Sequence, residues 1–173
     1  MSEAALRTGP TADRLSRPAL ARLVALFLPL ALLGGALGSQ YLGGLIPCEM
    51  CIWQRWPHAA AILIAAAAFT APPESGRSRS LTLLAAAAIG ISGAIGVYHA
   101  GVEAQIFEGL TTCTTLAAGA GADLLKQITE APLVRCDQVQ WSFLGISMAG
   151  WNAILSLGGA GLIAFLATRK ARA

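Results

Sequence analysis

The sequence predicts an all-α polytopic membrane protein: a four-transmembrane-helix bundle with a short amphipathic helix on its outer side. Two observations carry this expectation. Of 173 residues, 55% are hydrophobic and 12% are charged. The charges also cluster, leaving uncharged runs at 23–48, 56–73, 80–102 and 138–168. A helix rises about 1.5 Å per residue, so roughly 20 apolar residues cross a bilayer core of about 30 Å. One crossing per run places spans near 20–42, 52–71, 80–100 and 141–167, within a single membrane domain covering 1–173.

Each element has its own justification. The first run follows a basic flank, as a signal peptide would, but removing it would leave an odd number of spans. The second run is short by itself. A helix starting near Ile52 gains Trp53 and puts Arg55 one turn inside, where its long side chain can snorkel to the interface. AAAILIAAAAF (59–69) and LTLLAAAAIGISGAIGV (81–97) are apolar or small on every face, which excludes a soluble bundle with polar stripes. Small residues instead suit close helix packing in lipid. A further uncharged run, 109–122, is too short and too rich in Thr and Gly to span.

Lysine and arginine set the orientation. Nine lie on one side (Arg7, Arg14, Arg17, Arg22, Arg77, Arg79, Arg169, Lys170 and Arg172) against three on the other (Arg55, Lys126 and Arg135). The positive-inside rule then makes 1–18 a cytoplasmic tail, keeps both termini in the cytoplasm and puts the 101–140 loop outside. The net charge of +3 is thereby an orientation signal, and no nucleic-acid partner is expected.

All four cysteines fall on the outer side, where disulfides persist. Cys48 and Cys51 form a CxxC pair within IPCEMCIWQRW (46–56), and Cys113 and Cys136 lie in the second loop. A CxxC pair suits thiol exchange, because one thiolate attacks while the other resolves the mixed disulfide. Two alternatives stay open from the residues alone. Four thiolates can ligate zinc or a cluster, and Cys113–Cys136 can be a plain staple worth roughly 3 kcal/mol. Exchange chemistry needs a final oxidant, and the chain has neither a dinucleotide fingerprint nor a haem-attachment motif. A lipid-soluble quinone fits a two-electron dithiol at a membrane edge. Arg55, four residues after Cys51, shares its helical face and would favour both a thiolate and negative charge on a quinone oxygen. Trp53 and Trp56 suit an interfacial aromatic belt.

CEMCIWQRW resembles the CxxCxxxR region of the disulfide bond formation protein B family of bacterial inner-membrane proteins. APLVRCDQVQWSFLGISMAGWNAILS (131–156) is similar to the segment that leads that family's last periplasmic cysteine into its final span, and GVYHAGVE (96–103) is similar to its third-span exit. The resemblance implies a thiol:quinone oxidoreductase that reoxidises a periplasmic thioredoxin-fold dithiol oxidase and passes electrons to the membrane quinone pool. It implies that Cys48 and Cys51 are the quinone-proximal pair, Cys51 facing the ring. Cys113 would then form the mixed disulfide with the partner, Cys136 would be its loop mate, and Arg55 and His99 would bind quinone. Gln54 stands where the family often has an acidic residue, so ubiquinone and menaquinone are not distinguished.

Two further features of the sequence bear on the outer loop and the last span. Leu124, Leu125 and Ile128 share one face, against polar Asp123, Lys126 and Gln127, which predicts a short surface helix leaning on lipid. Asn152 within the last span needs a polar partner, as interhelical glue or as a ligand contact.

Overall fold

The computed structural model describes residues 16–109 and 134–169. Four helices dominate these residues: α1 (Arg17–Tyr41), α2 (Glu49–Ala68), α3 (Gly76–Glu103) and α4 (Met148–Thr168). A two-stranded antiparallel hairpin, β1 (Ser142–Phe143) with β2 (Ile146–Ser147), precedes α4. Leu144 and Gly145 both have positive φ, 52° and 77°, as a two-residue hairpin turn requires. Every helix begins at a side-chain cap. Ser16, Cys48, Ser75 and Ser147 accept from the backbone N–H of Ala19, Cys51, Ser78 and Gly150, each satisfying a donor that the first helical turn would leave orphaned.

One part of the expected fold class is corrected. Among the described residues, α1, α3 and α4 are long and apolar enough to cross a membrane, with mean hydropathies of 2.1, 1.9 and 1.5. The second helix is not among them. Its first half carries Glu49, Gln54, Arg55 and His58, which cancel the apolar weight of its alanine-rich second half. The bundle therefore has four helices, three of which qualify as spans, and α2 is a helix of another kind. The short amphipathic helix expected at 123–128, and Cys113 with it, lie outside the described residues.

The start of α1, the α2–α3 turn and the end of α4 gather at one end of the bundle. Ser16 donates to Glu74 at 2.9 Å and Arg22 to the Ala71 carbonyl at 3.1 Å, while Thr168 and Arg169 border a cleft shared with Ser16 and Glu74. The caps of α2 and α4 lie at the other end, with the last turn of α3.

Small side chains set the spacing between helices. Ala25, Ala61, Ala65, Ala85 and Ala86 pack with Ile89 and Ile163 in one buried cluster. The backbones of α3 and α4 come close at Gly96. A Cβ on Gly96 would stand 3.1 Å from the Ala149 carbonyl, the Ala153 amide and the Asn152 side chain. That closeness is what lets Asn152 reach α3. A leucine at Gly96 must push α4 away, and overpacking of this kind costs about 1–3 kcal/mol. Gly96→Leu should lower the melting temperature of the detergent-solubilised protein by several degrees. An unchanged melting curve would mean that the α3–α4 contact is looser than described.

Candidate functional site

The CxxC pair is built into the start of α2. Cys48 is the cap residue and Cys51 the third residue of the helix, so helical geometry folds the two sulfurs together. The Cys48 sulfur accepts from the Cys51 backbone N–H at 3.3 Å and lies 2.7 Å from the Cys51 sulfur. Cys48 is buried, 2% exposed, and packs with Met50, Val102 and Cys136. The structure thus brings three of the four cysteines into one neighbourhood, with Cys136 against Cys48.

Cys51 faces a cavity of about 640 Å³ between the four helices and the segment 138–141 that precedes the hairpin. Its walls include Leu32, Leu33, Ile46, Trp141 and Met148, and its polar groups are few: Gln54, Arg55, His58, His99, Glu103 and Asn152 among them. Arg55 is not directed to the outside as an anchor would be. Its guanidinium donates to the Gln40 side chain and to the Ala36 carbonyl at 3.3 Å, both on α1, and its Nε is buried without a partner. Trp53 and Trp56 stand on the exposed surface of α2, consistent with the expected interfacial position.

The two sulfurs differ in acidity. The hydrogen bond with Cys48 holds the Cys51 thiol below its ordinary range against the cost of burial, and the Arg55 charge adds to the effect. The same contact, with burial, pushes Cys48 far above its ordinary range. Cys51 is therefore the more acidic of the two sulfurs and the first to ionise.

Behind the sulfurs runs a closed hydrogen-bond network whose orientation can be worked out from one end. The Met50 carbonyl only accepts, so the nitrogen of the Gln54 amide faces it, at 3.1 Å. The same nitrogen lies 2.9 Å from His99 Nδ1, which must then be an acceptor. Gln54 Oε1 accepts from Asn152 at 2.7 Å. The Asn152 oxygen in turn accepts from Ser156 and from His58 Nε2, each at 2.9 Å. Ser92 donates to the Gln54 carbonyl at 2.8 Å. Gln54, His58, Ser92, His99 and Ser156 are all buried.

Two consequences follow. His99 carries its proton on Nε2, which sits 3.5 Å from the Cys48 sulfur and 3.8 Å from the Glu103 carboxylate. His58 also carries its proton on Nε2, leaving a buried Nδ1 with no partner. Asn152, whose partner was open between another helix and a ligand, bonds to α2 and α3 and borders the cavity as well. Gln54, His58, Ser92 and Glu103 were not recognised as site residues from the sequence. The available signal was the i,i+4 spacing of Gln54 with His58 and of His99 with Glu103 in helices otherwise poor in polar groups.

The ligand atoms of Cys48, Cys51 and His99 lie within 4.8 Å of one another, close enough to hold a metal ion. The hydrogen bonds oppose this use of His99, because a metal needs the Nε2 lone pair and the Gln54 amide places a proton there.

A polytopic helical protein with a buried CxxC pair at the wall of an apolar cavity defines a membrane dithiol protein. The comparisons specify the family. Residues 18–166 match the family model described as disulfide bond formation protein DsbB, and the chain belongs to that family. Among similar proteins named disulfide bond formation protein B, that of Methylococcus capsulatus is 34% identical over 139 residues, covering 74% of this chain and 80% of the relative. That of Polaromonas sp. is 32% identical over 154 residues, covering 82% and 86%. That of Xanthomonas oryzae pv. oryzae is 30% identical over 132 residues, covering 73% and 77%. No solved structure gives a significant match.

Two measurements check the site. In the reduced protein, alkylation should modify Cys51 before Cys48, and the Cys51 rate should rise at a lower pH. Equal or reversed order would overturn the assigned acidities. Replacing Gln54 frees His99 Nδ1 to hold the proton, so reduced Gln54→Met should bind Zn²⁺ about tenfold more tightly than wild type, the equivalent of one hydrogen bond. Tight binding by wild type, lost in His99→Ala, would contradict the deduced tautomer.

Proposed function

We propose that the protein is a bacterial inner-membrane thiol:quinone oxidoreductase, with the Cys48 end of the bundle at the periplasmic face and both termini cytoplasmic. It would reoxidise a periplasmic thioredoxin-fold dithiol oxidase. The observation that carries this reading is the position of the Cys48–Cys51 pair, packed against Cys136 on one side and bordering an apolar cavity beside Arg55 on the other. The orientation is supported by the gathering of basic residues at the opposite end, where Arg17, Arg79 and Arg169 border one cleft.

The residues supply an ordered exchange. A partner thiolate attacks Cys113 of the Cys113–Cys136 disulfide and releases Cys136. Cys136 then attacks Cys48, its neighbour in the buried cluster, forming the Cys136–Cys48 bond and breaking Cys48–Cys51. Cys51 is the better leaving group, because its thiolate is the favoured one. The Nε2–H of His99, 3.5 Å away, steadies negative charge on Cys48 whenever exchange leaves it there. The partner's second thiol displaces Cys113, and the partner leaves as a disulfide. The freed Cys113 then displaces Cys136 from Cys48, which restores the loop disulfide and leaves the Cys48–Cys51 dithiol.

The cavity suits a quinone on three counts. Its walls are mostly apolar, it touches Cys51, and Arg55 in its wall has a buried nitrogen donor without a partner. A bound quinone would accept the electron pair of the dithiol together with two protons. Arg55, braced by Gln40 and Ala36, would hold a cation beside Cys51 and beside the ligand oxygen.

Quinone reduction by a reduced thioredoxin-fold protein, measured on purified wild type and variants, tests the reading. Cys51→Ser should abolish turnover while leaving the loop able to exchange once with the partner. Arg55→Met should lower quinone affinity or turnover by tenfold or more, and Arg55→Lys should recover part of the loss through charge without the planar fork. Normal steady-state reduction by Cys51→Ser would overturn the electron route.

A further inference from the structure

Glu103 has no role in the scheme above, and its placement calls for one. It ends α3 one turn beyond His99, with its side chain 9% exposed. One carboxylate oxygen lies 3.8 Å from His99 Nε2, and the Ser147 hydroxyl at the α4 cap hydrogen-bonds to the group. The other oxygen is buried and has no partner. A carboxylate held this way, in the wall of a mostly apolar cavity, costs stability, and a buried group left without a partner calls for an explanation.

The titratable groups around it can be weighed in turn. Cys48, Cys51 and Arg55 approach from α2, His99 from α3 and Cys136 from the segment before the hairpin. Re-forming the Cys48–Cys51 disulfide requires the Cys48 thiol to lose its proton. His99 cannot take it, because Nε2 already carries a proton and the Gln54 N–H blocks protonation at Nδ1. Arg55 is permanently charged. Cys136 is the sulfur that has just left. Two vacant acceptors border the cavity among the described residues, His58 Nδ1 and the Glu103 carboxylate. His58 lies further along α2, about 15 Å of helix rise from Cys48. Glu103 lies 3.8 Å from His99 Nε2, which is itself 3.5 Å from the Cys48 sulfur, so a water beside that nitrogen can link Cys48 to Glu103.

We propose that Glu103 is the proton acceptor for Cys48 when the Cys48–Cys51 bond closes. The inference rests on the thiol-exchange reading. The Cys48–S⁻ formed on proton loss attacks the Cys51 sulfur as that sulfur gives up its electron pair, one S–S bond forms, and the proton resides on the carboxylate. With a quinone as oxidant, the pair passes to the quinone. One accompanying proton then comes from Cys48 by way of Glu103, and the other from water at the cavity mouth. With a small-molecule disulfide as oxidant, the Cys51 mixed disulfide is resolved by Cys48 and the departing thiolate takes the electron pair.

The second oxidant allows a test that needs no quinone. Full-length, quinone-stripped wild type, Glu103→Gln and Glu103→Asp are reduced and then oxidised by a small-molecule disulfide. Closure of the Cys48–Cys51 bond is followed against pH, alongside the Cys51 thiolate titration. The Glu103 charge opposes the Cys51 thiolate, so Glu103→Gln should move that titration to lower pH. Closure should nevertheless slow by about a hundredfold, the lower range for a lost general base, and should rise with hydroxide across the neutral range. Glu103→Asp should recover part of the rate. A titration that moves while closure keeps its wild-type rate and pH profile would reduce Glu103 to a repelling charge and overturn the proposal. Should Glu103→Gln fail to fold, the infrared difference spectrum of wild type during closure decides. A carboxyl C=O band must appear as the thiols are consumed, and its absence overturns the proposal. Quinone reduction by wild type, measured separately, tells failure of this step from failure of the oxidoreductase reading.

Discussion

The site depends on the direction in which one amide points. Gln54 has a nitrogen and an oxygen on the same carbon, and its helix supplies a carbonyl that only the nitrogen can serve, at 3.1 Å. From that single choice follow the Asn152 orientation, the protonated nitrogen of both histidines and the donor aimed at Cys48. In a bundle interior these bonds have no competing water, so a reversed Gln54 would place like poles together at His99 and Asn152 and leave buried groups unsatisfied. The network also joins α2, α3 and α4 through their side chains. The interior that holds the helices in register is therefore the one that sets the chemistry of the sulfurs.

That network explains why α2 departs from a spanning composition. A helix facing lipid cannot carry Gln54, Arg55 and His58 within five residues without large cost. Here Gln54 and His58 are buried against other helices and Arg55 is tied to α1. The residues that lower the apolar character of α2 are the ones that build the cavity wall. Small residues make this possible, because the α3–α4 contact at Gly96 is close enough for one asparagine to bond to two helices.

Much of this was legible in the sequence, and the limits have physical causes. Charge-free runs located the helical segments, because long apolar runs have few other uses. The CxxC spacing located the sulfur pair, because residues three apart at a helix start must meet. Arg55 could be placed near Cys51 because an i,i+4 relation is local. What the sequence could not convey is register between helices. Asn152 was recognised as needing a partner but could not be assigned one, and His58 went unnoticed because its partners lie 34 and 94 positions away. Counting uncharged residues also overrated α2, since His58 lies within the uncharged run 56–73 yet is strongly polar, and the helix takes in Glu49, Gln54 and Arg55 before that run begins.

The two sulfurs of the pair are chemically similar in sequence and opposite in place. Cys48, as cap residue, turns inward to Cys136 and His99, and Cys51, three residues on, turns to the cavity and Arg55. Burial alone would raise both thiols and leave the pair inert at neutral pH. Their mutual hydrogen bond breaks that symmetry by making the outer sulfur the more acidic and the inner one the less acidic. The exchange proposed for this pair needs such an asymmetry: an incoming sulfur would find one partner and the departing electrons the other. A helix start with two cysteines three residues apart creates it with few additional parts, because the cap and the first turn necessarily face different surroundings.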